Sequence, residues 1–331
     1  MNRDLISSPI ERQNILNNSI ALKEIESQLN LGGYLWHGKP VFTIADASEI
    51  FDVDPRTIQR VIELNRIELS QNGFKLLTGD DLINFREKYT YVSTQARSLS
   101  IFTFRAILNL GMLLPNSDNA KKMRASILNI TISIIEKRTN GNYKYINQRD
   151  PNFIDVSYQN ETGRRDFTKA IGQYINMGAY KYEYFTNKVY QCIFLEKAKE
   201  YQRILGLSNR SNLRDTMYTE VLKCITAVEK GAAFELEKEF NKLGHKLSKE
   251  EASRVIESLA SHPFTTTYIE EARTKMASRD LNFRDAEHKK LSQYITSIDS
   301  EDFERFLGEK SKSLEQQIKE HRDVFLRLKD K

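Results

Sequence analysis

The sequence predicts a mainly helical protein, and three observations carry that expectation. Only six prolines and fourteen glycines are spread over 331 residues. Apolar side chains recur at steps of three and four along most of the chain. The breaks fall at a few clusters of Gly, Asn, Asp and Pro. A chain that is 40% hydrophobic and 29% charged lies in the ordinary range for a globular protein.

Residues 10–31 are expected to form one amino-terminal helix. "LGGYLWHGKP" then breaks it, and "VFT" suits a short strand. In "TIADASEIFDVDPRTIQR" (43–60), Ile44, Ala47, Ile50 and Phe51 share one helical face. Asp54 can cap a second helix and Pro55 suits its first position, where no amide donor is lost. Ile58, Val61 and Ile62 give that helix its core side. Asn72-Gly73 before Phe74–Leu77 suggests a small hairpin or wing, and another helix starts near Asp80.

A second helix pair is expected over 101–137, stopped first at Pro115 and then at "TNGN". Residues 140–165 look like a long connection with room for one strand, and contain the domain boundary. Beyond it the pattern is helical, as in Phe194, Ala198, Tyr201 and Leu205. Ser248 and Glu251 form a capping-box pattern. Leu314, Ile318, His321, Phe325 and Leu328 have the spacing of a short coiled-coil seam or of one face packed on the domain. No internal repeat is recognised.

The expected architecture is therefore a winged helix-turn-helix domain followed by a helical carboxy-terminal domain. The parts are an amino-terminal helix (1–36), the winged helix-turn-helix (37–92), a helical continuation (93–145), and a helical dimerisation or partner-binding domain (146–331).

A helix pair that reads DNA needs a small contact between its helices, a short turn, and an outer face that reaches bases and phosphates. Ala47, Val53 and Asp54-Pro55 meet the first two needs. The outward residues of the second helix are then Arg56, Thr57, Gln59 and Arg60, with Arg66 further on. Arg56, Gln59 and Arg60 suit base edges, while Thr57, Arg66 and Lys75 suit the phosphate backbone. The net charge is +5, and residues 37–150 hold 16 basic and 12 acidic side chains. The competing reading is an ordinary helical corner in a protein-interaction or effector component of a defence or toxin-antitoxin system.

"TIADASEIFDVDPRTIQRVI", followed by "SIFTFRAILNLGMLLPNSDNAKKMRASILNITISIIEKRTNGNY", resembles the phage and mobile-element regulators of the RhuM, BRO amino-terminal and KilA type. The resemblance is one of pattern and covers about residues 37–145. Leu110-Gly111-Met112 stands where the RhuM group carries an aromatic-rich Gly-Tyr-Arg signature. The resemblance implies sequence-specific binding of double-stranded DNA in regulation, mobile-element biology or phage defence.

No catalytic residue is expected. His262-Pro263-Phe264 opens like the loop of Fic-type transferases but continues Thr-Thr-Thr-Tyr, without the glycines of a phosphate nest. His37, His245, His262, His288 and His321 are scattered, so neither a metal nor another cofactor is expected. The densest polar cluster, Arg284, Asp285, Glu287 and His288, reads as a solvated helix with local ion pairs. If its carboxylates converged they would suit a nuclease. The interleaved tyrosines and lysines of 141–150 and 178–191 suit either buried rings or single-stranded nucleic acid. Cys192 and Cys224 are expected as free thiols. With no apolar run long enough to span a bilayer, the chain is expected to be cytoplasmic and membrane-free, with a homodimer or protein partner held through its carboxy-terminal helices.

Overall fold

The computed structural model describes residues 4–89, 96–209 and 211–322. Among the described residues the structure is mainly helical with one four-stranded sheet, and the chain divides into two units, residues 1–137 and 138–331.

The first unit opens with α1 (Pro9–Asn17) and α2 (Ser19–Leu29). The single helix expected over 10–31 is thus broken at Asn18. Its backbone N–H closes α1 on Ile15, and its side chain accepts from the Ala21 N–H to start α2. One buried asparagine ends one helix and caps the next. β1 (Tyr34–Trp36) and β2 (Lys39–Thr43) form a hairpin. Its two-residue turn, His37-Gly38, has φ values of 48° and 75°, which match the strand twist.

Thr43 and Asp46 form a capping box that starts α3 (Ile44–Phe51). Asp52 turns left-handed at its end, and Asp54 caps α4 (Pro55–Leu64). α5 (Arg66–Gln71), β3 (Phe74–Leu77) and α6 (Gly79–Lys88) follow. β4 (Leu99–Thr103) leads into α7 (Phe104–Leu113) and α8 (Asp118–Thr139).

Two expectations need correction here. Phe74–Leu77 makes no hairpin with a sequence neighbour. It pairs antiparallel with Leu99–Thr103, part of which is expected from its apolar pattern to open a helix. The helix begins only where the Thr103 side chain accepts from the Ala106 N–H, and the preceding β-branched and aromatic residues stay extended.

The sheet order is β1-β2-β4-β3. At its centre Val41 faces Thr103, Phe42 faces Phe102, and Thr43 faces Ile101. That register is symmetric about Phe42 and Phe102. Val41-Phe42-Thr43 and Ile101-Phe102-Thr103 are near-copies, and each threonine caps the helix that follows. Each outer strand is preceded by a glycine packed against the inner strand, Gly33 at φ 105° and Gly73 at φ 102°, where a Cβ would collide. The described residues of the unit therefore contain a strand–helix–turn–helix order twice, with the paired inner strands in a register symmetric about Phe42 and Phe102, although the sequence shows no repeat. Phe42, Phe74 and Phe102 enter a core shared with Ala47, Phe51 and Ile107. On the opposite sheet face, Val41, Leu77 and Ile101 pack with Leu82 and Phe85 of α6.

The second unit contains α9 (Phe153–Tyr174), α10 (Lys181–Phe194), α11 (Ala198–Ile204), α12 (Thr219–Leu243), α13 (Lys249–Ala260), α14 (Pro263–Arg284), α15 (Ser300–Leu307) and α16 (Leu314–Glu320). The expected connection over 140–165 is instead a 3-10 segment, Tyr143–Arg149, followed by the first half of α9. Phe153, Val156, Asn160, Gly163, Phe167 and Ala170 give α9 a continuous buried stripe. The stripe includes polar and glycine positions, which mask its period in the sequence. α9 and α12 run parallel. Asn160 donates to the Leu222 carbonyl (3.1 Å) and Thr226 (2.9 Å), and the Tyr174 hydroxyl meets Glu237 at 3.0 Å. Phe325 and Leu328 of the expected carboxy-terminal seam lie outside the described residues.

Replacing Phe102 by Ala should destabilise the first unit by about 3–5 kcal/mol, the usual cost of emptying a buried aromatic site. Chemical denaturation of the full chain, followed by a probe in residues 4–89, measures it. A change under about 1 kcal/mol would show that the central strand pair is dispensable.

Candidate nucleic-acid interface

α4 is set by its two ends and one stripe. Pro55 at its first position and the Asp54 carboxylate, which accepts from the Arg56 N–H at 2.8 Å, fix the start. Ile58, Val61 and Ile62 are buried and fix the rotation about its axis. The turn before it is held by Ser48, whose carbonyl accepts from the Val53 N–H (3.1 Å) and whose hydroxyl donates to the Val53 carbonyl. Ala47 is fully buried at the contact between the two helices.

Arg56, Thr57, Gln59 and Arg60 are consequently exposed on the opposite face. Arg66, at the start of α5, is exposed as well. Lys75 is exposed on β3, an edge strand of the four-stranded sheet rather than a wing hairpin. None of these six side chains is engaged in a hydrogen bond or ion pair among the described residues. Three guanidinium groups and a lysine are thus exposed without a partner among the described residues. Arg56 and Arg60 share the outer side of α4 with Gln59, Thr57 and the acid Glu63, and Arg66 opens α5. Lys75, paired with Ile101, lies on the α6 side of the sheet, away from the core face that carries α4. The neighbouring carboxylates are partly committed. Asp46 is held in the Thr43 capping box, and Asp54 caps α4. Such a face can bond phosphate oxygens and base edges. The hairpin turn His37-Gly38 lacks the Asn-Gly or Asp-Gly pair that marks most such turns, so no local signal announces it.

Comparison of the chain with family models, with curated proteins and with solved structures finds no match.

In the second unit the cluster expected to be solvated is divided: Arg284 and His288 are buried, whereas Asp285 and Glu287 are exposed. Asp280, with no exposed surface, accepts from Tyr201 (2.8 Å), Tyr218 (3.2 Å), His288 Nε2 (3.0 Å) and Arg284. His288 Nδ1 reaches Glu196 at 2.9 Å. Arg284 also donates to Asn147 and to the Thr216 carbonyl, both at 2.7 Å. Asp285 and Glu287, the carboxylates read from the sequence, are exposed and stand outside this cluster. The reason is helical spacing. Asp280 and Arg284 lie one turn apart on the buried face of α14, and the left-handed Asp285 ends the helix and turns His288 back onto Asp280. Among the described residues, no group of three or more His, Cys, Asp and Glu is placed to hold a metal ion.

The His262 side chain caps α14, accepting from the Phe264 N–H, with Pro263 at the first position. In the 178–191 segment, Lys181 is buried and donates to the Ile175 carbonyl at 3.0 Å, while Tyr180 and Tyr184 meet edge to face. These residues do not form a row of stacked rings alternating with free lysines. Cys192 and Cys224 are free thiols, and burial pushes the Cys224 thiol up to about 12. No helix among the described residues is long and apolar enough to cross a membrane.

Burial alone would depress His288. The hydrogen bonds to Asp280 and Glu196 outweigh it and raise the imidazole from 6.5 to about 9. A raised folded value makes the contribution complete below about pH 6.5 and lost as pH climbs through 9. The unfolding free energy should fall by roughly 1–3 kcal/mol across that window. His288→Gln should be less stable at pH 6 and nearly flat from 6.5 to 9. A wild-type curve without slope there would mean that the buried imidazole is neutral.

Proposed function

We propose that the chain is a sequence-specific double-stranded DNA-binding protein that inserts α4 into the major groove. In this reading Arg56, Gln59 and Arg60 contact base edges, and Thr57, Arg66 and Lys75 contact the sugar-phosphate backbone. α3 crosses behind as the supporting helix of a helix-turn-helix, and the β1–β2 hairpin is the candidate wing. The observation that carries the proposal is the outer face of α4, with two arginines, a glutamine and a threonine exposed and unpaired among the described residues. The resemblance to the RhuM, BRO and KilA-type regulators supports the same reading and suggests a cytoplasmic regulator in a phage, mobile-element or defence setting. The second unit then serves dimerisation or holds a protein partner.

Selection of bound sequences from random duplexes supplies the site for the test. On that site Arg56→Ala and Arg60→Ala should each weaken specific binding by ~1–3 kcal/mol and relax preference at one base position. Wild-type affinity should fall steeply with salt. Unchanged affinity in both variants would exclude α4 as the reading helix.

The second reading, a protein-interaction component without specific DNA binding, is favoured by one observation. Phe234, Phe264 and Tyr268 of the second unit are 64%, 80% and 63% exposed. A groove of about 610 Å³, lined in part by Glu235, Leu243, Val255, Leu259 and His262, runs along α12 and α13. If these rings contact protein, Phe264→Ser should lower the apparent mass in sizing chromatography or abolish capture of a partner. An unchanged oligomeric state and partner set would remove support from this reading.

A further inference from the structure

The second strand–helix–turn–helix element reproduces the first in the feature that matters for a ligand. Along α4, Arg56 and Thr57 are exposed, Ile58 buried, Gln59 and Arg60 exposed, Val61 and Ile62 buried, and Glu63 exposed. Along α8, Asp118 and Asn119 are exposed, Ala120 buried, Lys121 and Lys122 exposed, Met123 and Arg124 buried, and Ala125 exposed. The pattern is identical through eight positions. It places Lys121 and Lys122 where α4 has Gln59 and Arg60.

Buried Arg124 donates to the carbonyls of Gly111 (2.9 Å) and Leu114 (2.6 Å), so its charge is spent in closing the α7–α8 turn. The lysines are different, since neither ammonium has a partner among the described residues. The start of α8 is also bonded to the end of α3, the helix that leads into α4. Ser117, which caps α8, donates to the Phe51 carbonyl at 2.6 Å, and Asn119 donates to the Ile50 carbonyl at 3.2 Å. From Phe51 the chain needs only five residues to reach Arg56, at most ~18 Å even fully extended. Asp52, Asp54 and Asp118 lie between or beside the two starts. Lys121 and Lys122 stand about one turn inside α8, while Arg56 is the second residue of α4.

We infer that the outward face of α8, centred on Lys121 and Lys122, is a second contact with the DNA backbone, so that one chain grips the duplex through both of its helix pairs. The inference rests on the proposed reading by α4 and assigns the two helices different work. α4 carries arginine and carboxamide groups that can bond base edges. α8 carries point charges, with small Ala125 following, and these suit phosphates. A single chain would then hold its site asymmetrically, one helix pair reading and the other anchoring.

The test measures binding of the full-length chain to its selected duplex and to a mixed-sequence duplex over a range of salt. For the double variant K121A/K122A, affinity should fall by a similar factor on both duplexes. The slope of log K against log salt should become shallower by about 2, one for each phosphate no longer neutralised. The hydroxyl-radical footprint should shorten at one end, and K121R/K122R should restore the slope. R56A/R60A should instead lose discrimination between the two duplexes. An unchanged slope and footprint in K121A/K122A, with discrimination still abolished in R56A/R60A, would overturn the second contact and leave reading by α4 intact. A wild-type chain that binds neither duplex at low salt would remove both.

Discussion

The antiparallel pairing of Lys39–Thr43 with Leu99–Thr103 is the constraint from which the arrangement of the first unit follows. The two strands are far apart in sequence, and their register places Phe42 against Phe102 on the face that becomes the main core. A slip of one residue would turn the ring of the slipped strand to the opposite face, separating Phe42 from Phe102 and bringing one of Val41 and Ile101 inward in its place. Because Thr43 and Thr103 end the strands and start helices, the same register sets where α3 and α7 leave the sheet. Gly111 on α7 lies against the Phe51 ring of α3 so closely that an added Cβ would sit 2.8 Å from it. The two helix pairs are therefore locked to each other as well as to the sheet. A polar network secures the outer helices. Arg12 of α1 pairs with Glu68 of α5 at 2.7 Å, and Asn109 of α7 donates to the same carboxylate at 2.7 Å. With Arg12 buried and Glu68 partly exposed, removal of Glu68 would leave an uncompensated guanidinium inside.

What can be read from the sequence follows the reach of its signals. α3, α4 and the capping box at Ser248 are legible because cap, proline and apolar period all lie within a few residues of one another. Strand β4 is not. Its partners are the distant β2 and β3, and the apolar run 99–114 gives no local sign of where extended chain becomes helix. The same holds for the duplication, whose copies share little beyond Phe-Thr and differ in turn length, with α6 inserted between the outer and inner strands of the second. For the candidate interface, the exposure of Arg56, Gln59 and Arg60 follows from the positions of Ile58, Val61 and Ile62. The part assigned to α8 needs the burial pattern of both helices side by side. In the second unit, adjacency misleads. Arg284, Asp285, Glu287 and His288 are neighbours along the chain, but Asp280, one turn earlier, is the group that binds two of them.

That buried cluster carries a different physical meaning from the surface of α4. Asp280 and Glu196 balance Arg284 and His288 in a region where an unpaired ion would be very costly, and the tyrosine hydroxyls satisfy remaining lone pairs. Around it Arg279 reaches Asp302, and Glu220 accepts from Arg305 (2.6 Å) and Lys275 (2.9 Å). Together the attraction of these three cations outweighs burial and holds the Glu220 carboxyl far below its ordinary value of 4.5. Such networks add little net stability over apolar packing, but they penalise every misaligned packing of the same helices. Here they tie α11, α12, α14 and the 3-10 segment into one arrangement.

The contrast between the two kinds of charge is what gives the α4 face its weight. Where the chain needs a guanidinium for structure, as at Arg12, Arg124, Arg214, Arg279 and Arg284, it buries the group and supplies carboxylates or carbonyls to receive it. Arg56, Arg60 and Arg66 receive no such partners among the described residues. Arg56 and Arg60 stand with Gln59 on a helix whose start and rotation are fixed, and Arg66 opens the next one. A guanidinium left in water adds little to folding, whereas a polyanion carrying one charge per ~1.7 Å of its axis would supply a dense row of acceptors. A rigid helix that holds its free cations at set positions loses less entropy on meeting that lattice than a flexible arm would. The same argument extends to Lys121 and Lys122, which α8 holds at set positions, its start fixed on the end of α3 by Ser117 and Asn119.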